Sequence, residues 1–176
     1  GRGLNWRTNL YYLETPDFGQ TWQTVDGRSV ELPLTQMDNS ALVEDYATRS
    51  KNVYLKDLVF DDQDRPVILY LTSGGYQSGP QNDPRIWMTA RWTGDRWELR
   101  PALRSDNNYD MGELSIDADG TWRIIAPSAT GPQPYNPGGE IAMWLSPDQG
   151  QSWQSRQLTS NSLRNHTYVR HPENAH

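Results

Sequence analysis

The stretch Asn165-His166-Thr167-Tyr168-Val169-Arg170-His171 is where residue types and spacing could carry a reaction. Side chains alternate along an extended chain, so His166, Tyr168 and Arg170 would share one face. An imidazole, a phenol and a guanidinium provide a base, an acid and an anion clamp. Each has a plainer reading as well: Tyr168 packs in a seam and Arg170 pairs with a carboxylate. Asn165 and His171 flank the trio and are candidate substrate contacts. Asn108 and Tyr109, in Ser105-Asp106-Asn107-Asn108-Tyr109-Asp110, could meet sugar hydroxyls, or the stretch could be an Asx-rich loop satisfying its own backbone. Tyr135 could offer a stacking platform in a loop that its prolines would stiffen in any case. Arg85 and Arg123 are candidate carboxylate ligands.

Composition narrows the partners. The chain has 176 residues and a formal net charge of −6, with no Lys/Arg cluster, which argues against nucleic acid. An anionic substrate remains compatible, because a local basic pocket can sit on an acidic protein. Eight Trp and nine Tyr against two Phe supply rings with a polar edge, which suit half-exposed sheet faces and sugar-binding surfaces. Fourteen Gly and twelve Pro point to a turn-rich all-β protein. With no cysteine there is no disulfide scaffold and no thiolate metal site. Three His without regular spacing give no metal signature, so neither a metal nor a cofactor is expected. The acidic turns at 61–64 and 117–120 lack the full ligand spacing of a calcium loop. No stretch approaches membrane-spanning length and none of the given residues reads as a signal peptide. The chain does not start with Met and reads as part of something longer, secreted or periplasmic in a bacterium.

The elements that must position these residues are strands and turns. Thr15-Pro16-Asp17-Phe18-Gly19-Gln20-Thr21-Trp22 and Ser146-Pro147-Asp148-Gln149-Gly150-Gln151-Ser152-Trp153 share five identical positions and two Ser/Thr pairs. Each reads as a hairpin turn, with an Asp that accepts from backbone N–H groups and a Gly that supplies a conformation other residues resist. Residues 1–27 are expected to hold two strands joined by the first octet, Asn9–Glu14 and Thr21–Val25. A short strand is expected near Leu42–Asp45. Residues 53–103 and 110–159 each read as four strands, and Asp57-Leu58-Val59-Phe60-Asp61 aligns with Glu113-Leu114-Ser115-Ile116-Asp117 at a period of 56 residues. A four-strand repeat of this size is a propeller blade. Residues 165–176 are expected to begin another blade. The short turns then lie on one face. The long, varied loops Ser73–Arg85, Arg104–Asp110, Ser128–Gly139 and Ser160–His166 lie on the other, where function usually concentrates.

The octets resemble the Asp box, S/T-x-D-x-G-x-T/S-W, of the BNR repeats in sialidase-like β-propellers. With the run Val53–Asp61, its continuation Pro66–Ser73, and Asn165–Arg170, the chain resembles a BNR-4-type propeller along its length. The resemblance implies an all-β fold of four-stranded antiparallel blades, a fragment of a six- or seven-bladed propeller. Such a fragment would need the rest of the ring, or self-association, to cover open sheet edges. This group is similar to propeller polysaccharide lyases acting on uronic-acid polymers, such as ulvan lyases. The implied partner is an anionic polysaccharide or oligosaccharide and the implied chemistry is β-elimination, for which His166, Tyr168 and Arg170 have suitable types. A sialidase-like hydrolase is the alternative, although its Arg-Ile-Pro signature is missing and Pro84-Arg85-Ile86-Trp87 is a poor substitute. A non-catalytic carbohydrate-binding propeller needs only the aromatic loops.

Overall fold

The computed structural model describes residues 3–170. Among these residues ten strands make the fold: β1 (Leu10–Tyr11), β2 (Leu42–Glu44), β3 (Asn52–Phe60), β4 (Pro66–Ser73), β5 (Arg85–Trp92), β6 (Trp97–Ser105), β7 (Glu113–Ile116), β8 (Trp122–Ala129), β9 (Glu140–Ser146) and β10 (Gln154–Gln157). Among the described residues the one helical element is a short 3-10 turn at Pro80–Asn82, and no helix is long and apolar enough to cross a membrane.

Strands β3 to β6 form one antiparallel sheet in sequence order, and β7 to β10 form a second. The period of 56 residues reappears in the strand ends. Strands β3 and β7 end at Phe60 and Ile116, and β4 and β8 begin at Pro66 and Trp122. The first strands of the two sheets are neighbours, tied where Leu114 N donates to Asp57 Oδ2 at 2.9 Å.

Strand β4 is buried along its whole length, as its unbroken apolar run requires. Alternation then splits its side chains between two cores. Val67, Leu69 and Leu71 pack with Trp87, Leu114, Trp122 and Ile124 against the second sheet. Ile68 and Tyr70 pack with Leu10, Tyr12, Tyr46 and Val53 in an N-terminal layer. The sheet β3–β6 is thus the middle of three layers, fixed between two apolar contacts.

The N-terminal layer departs from expectation. The octet at 15–22 is closed only by a single bridge, in which Glu14 and Gln23 exchange two backbone hydrogen bonds of 2.9 Å. Strand β1 pairs instead with β2, Leu10 opposite Glu44 and Tyr11 opposite Leu42. The physical reason is the core: Leu10 and Tyr12 are buried against the middle sheet, and the Ala41–Glu44 segment reaches them there, with Tyr12 N donating to the Ala41 carbonyl. The stretch after Asn165 also differs from a full strand. It makes two isolated bridges, His166 with Gly139 and Tyr168 with Met111. His171 lies outside the described residues.

Candidate functional site

Strands of one sheet alternate in direction, so the long connections all leave from one end. These are the loops 74–84, 106–112 and 130–139. The turns 61–65, 93–96, 117–121 and 147–153 leave from the other end. The turn end satisfies itself. In the octet at 146–153, Asp148 Oδ1 accepts from Ser152 N (2.9 Å) and Ser146 Oγ (2.8 Å), and Gly150 N donates to Ser146 Oγ (2.8 Å). The octet at 15–22 repeats this, with Thr21 N to Asp17 Oδ1 at 2.7 Å and Gly19 N to Thr15 Oγ1 at 2.7 Å. Neither aspartate has a task left over.

The loop end is a polar network between the sheets. Arg85, 1 % exposed, opens β5. It donates Nε to Asn108 Oδ1 (3.1 Å) and its two terminal nitrogens to the Gly79 (3.1 Å) and Gln77 (2.9 Å) carbonyls. The Asn108 amide nitrogen reaches Tyr54 Oη (3.2 Å) and the Gly75 carbonyl (2.8 Å). Lys56 Nζ donates to the Asn108 carbonyl at 2.7 Å and lies 5.6 Å from the Trp87 ring. Burial pulls the Lys56 ammonium down to about 8. Asp110 accepts from Gly138 N at 2.6 Å and from the Ser105 hydroxyl, yet burial pushes its carboxyl up to about 6. Beside it opens a cavity of about 130 Å³, lined among others by Arg104, Asp106, Asp110, Ser128 and Thr130.

Across this end runs the segment 162–170. The Asn165 amide is spent inside the protein. Its nitrogen donates to the Gln133 carbonyl (2.9 Å) and its oxygen accepts from Gln133 N (3.1 Å). Next to it the backbones of His166 and Gly139 bond to each other in both directions. A Cβ on Gly138, which has φ +88°, would lie 2.3 Å from the His166 carbonyl oxygen, so only glycine permits this approach. The His166 ring reaches Ser162 Oγ through Nε2 at 2.9 Å. Arg170 donates to the Gly112 carbonyl at 2.8 Å and holds its guanidinium 5.0 Å from the centre of the Tyr168 ring. His166, Tyr168 and Arg170 are all exposed. A second arginine–tyrosine group stands at the same end, where the Arg7 guanidinium lies 5.6 Å from the Tyr54 ring and 6.0 Å from that of Tyr109.

The sequence matches the BNR repeat-containing family over residues 3–105, more than half of the chain. The chain belongs to that family. No curated protein matches it. Two solved structures of a polysaccharide lyase, the PL25 ulvan lyase, are similar to it, one of them bound to -[GlcA(1-4)Rha3S]-. Each superposes with a TM-score of 0.64 at 18 % identity, over 86 % of this chain and 34 % of that chain. This BNR-repeat chain thus spans about a third of the lyase's length. Its fold is all-β, built of four-stranded antiparallel propeller blades like those of a polysaccharide lyase.

The structure sorts the residues picked out from sequence. His166, Tyr168 and Arg170 are exposed on one segment at the loop end, and Tyr109 is 47 % exposed beside Arg7. Asn108 and Arg85 are both buried and hydrogen-bonded within the loops, which they brace from beneath. Asn165 likewise fastens the segment to the 130–139 loop. Tyr135 is half-buried and its backbone is tied to the neighbouring loop, its N to Asp106 Oδ2 (3.1 Å) and its carbonyl to the Asn107 amide (2.6 Å). Arg123 pairs with Asp117 at the turn end. Lys56, Asp110, Arg7, Glu140 and Ser162 were not foreseen. Only Lys56 left a signal, as a charge inside the apolar run Val53–Phe60.

Proposed function

We propose that this chain belongs to a polysaccharide lyase that cleaves uronic-acid-containing polymers by β-elimination at the loop end of its blades. The observation that carries this reading is one exposed segment that bears an imidazole, a phenol and a guanidinium within five residues, with Arg170 over the Tyr168 ring and His166 pinned through its backbone. His166 takes the proton from the carbon beside the uronate carboxylate, and the C–H electron pair becomes the new C=C bond. The bond from the sugar to the bridging oxygen breaks with its electron pair, and Tyr168 returns a proton to that oxygen. Arg170 keeps guanidinium donors for the carboxylate, whose developing charge it offsets. Tyr109 and Arg7 offer a ring and a cation to flanking sugars of an anionic chain. A likeness in fold does not by itself carry an activity, so the reading rests on these side chains.

Burial of Arg85 weighs against the sialidase-like alternative, since the arginine nearest to the sialidase signature has no free face. Polymers of this kind are met outside the cell, so the protein is placed as secreted or periplasmic. The test incubates the full-length protein with a panel of uronic-acid polysaccharides and follows ultraviolet absorbance of the unsaturated product, with a sialoside in parallel. The expected result is an absorbance rise that His166→Ala abolishes and Tyr168→Phe reduces sharply. No rise on any polymer, or full activity in both variants, overturns the reading.

A further inference from the structure

We propose that Glu140 and Ser162 set the tautomer of His166, keeping the hydrogen on Nε2 and leaving Nδ1 as the free basic nitrogen. The inference deepens the lyase reading and rests on it for the role of His166; the tautomer itself is independent of it.

Donors and acceptors decide the matter. Glu140 is the first residue of β9, at the loop end. Its Oε1 accepts from Ser162 N at 2.7 Å, and its Oε2 accepts from the hydroxyls of Thr159 (2.5 Å) and Ser162 (2.9 Å). The hydrogen bond from the Thr159 hydroxyl, then that from Ser162 N, hold its carboxyl below the usual carboxylate range, so near neutral pH Glu140 is an acceptor only. A serine hydroxyl has one hydrogen. At 2.9 Å from a carboxylate oxygen that hydrogen points at Glu140, because the alternative sets lone pairs against each other. Ser162 Oγ then has only lone pairs to offer His166 Nε2, also 2.9 Å away. Nε2 therefore carries a hydrogen and donates it. A neutral imidazole has one N–H, so Nδ1 keeps its lone pair. Nδ1 is then the atom that takes a proton from substrate.

The order of groups matters. The carboxylate meets the hydroxyl, and the hydroxyl meets the imidazole, so this is no nucleophilic serine triad, in which the imidazole stands in the middle. Ser162 donates its hydrogen away from the ring and is not activated. Glu140 and Ser162 are positioning residues.

The test uses the full-length protein with ¹⁵N-labelled histidine, above the histidine titration. Imidazole nitrogen shifts report the tautomer, and His166 is assigned by the signals that His166→Gln removes. The wild type is expected to show Nε2–H alone. Glu140→Gln puts a carboxamide, which can donate to Ser162, where only an acceptor stood. Ser162 can then turn its hydrogen to Nε2, and Nδ1–H signal should appear. Ser162→Ala should give a mixture, and Ser162→Thr should restore the wild-type pattern. In the polymer assay, kcat should fall about tenfold in Glu140→Gln and Ser162→Ala with KM little changed, the lower end of what outer partners of metal-bound histidines contribute. An Nδ1–H wild type, or a tautomer unmoved in both variants, overturns the proposal. That outcome with His166→Ala still inactive would leave the lyase reading standing. A shifted tautomer with an active His166→Ala would instead sink the lyase reading alone.

Discussion

In the tight turns Asp17, Asp95, Asp119 and Asp148 are all held below the usual carboxylate range, whereas at the loop end Asp110 is pushed up to about 6 and Lys56 pulled down to about 8. The turn aspartates lie at the surface, Asp95 and Asp119 exposed and Asp17 and Asp148 partly so, and they collect backbone and hydroxyl donors from within their own turns, so the charged form is the comfortable one. The loop-end groups are buried, and burial opposes charge in both. The first kind of carboxylate completes a local shape. The second is kept at a cost by contacts from several loops, and such groups gather where a protein has a task beyond folding. The same strands therefore carry a structural end and an end whose side chains are held for something else.

The sharpest way to break this contrast is Arg85→Ala. It removes a buried guanidinium that joins the 74–84 loop to Asn108, leaving the Gln77 and Gly79 carbonyls and Asn108 Oδ1 without that donor. Hydrogen bonds to a buried charge make the expected loss about 2–3 kcal/mol in denaturant unfolding, with faster proteolysis within 74–84. A loss no greater than that of exposed Arg156→Ala would mean that the network is not what orders this end. A milder probe is Asp110→Asn. The Asp110 pKa is raised on folding, so its contribution to stability is fully present below the unfolded value near 4 and is lost as pH rises through about 6. Between pH 5 and pH 7 wild type should lose about 1 kcal/mol from this group, and the variant should not. Equal pH slopes in the two proteins would remove Asp110 from the contrast.

Much of the fold was legible because the signals were local. The apolar run Pro66–Leu71, the turn chemistry at 61–65 and 117–121, and the 56-residue repeat each predict what a neighbouring stretch must do, and β3 to β10 follow. The N-terminal layer was not, because the partner of β1 lies some thirty residues on and is chosen by the core it covers. At the site, residue type pointed to His166, Tyr168 and Arg170, but type does not distinguish a buried amide or guanidinium from an exposed one. Asn108 and Arg85, read as candidate contacts, lie buried and hydrogen-bonded beneath the loops. Arg7 meets Tyr109 across 102 residues, and Glu140 meets Ser162 across 22. No spacing rule links such pairs before the blades are assembled.

The smallest expected effect tests the other side of the contrast. The Asp148 carboxyl is held down to about 2, first by the Ser152 hydroxyl, then by Ser152 N and the Ser146 hydroxyl. A lowered folded pKa contributes stability above the unfolded value near 4 and loses it as pH falls toward 2. Asp148→Asn cannot ionise, so it should flatten the acid limb of the stability curve between about pH 4 and pH 2 and change little between pH 5 and pH 7. Asp17→Asn should do the same, since the octet at 15–22 repeats the contacts of that at 146–153 although only one bridge closes it. Neither variant should alter polymer cleavage. Matching acid limbs in the two variants would show that the octet stabilises its own turn whatever sheet it joins. A lost activity in either would carry function to the end of the blades where these side chains leave no group free for it.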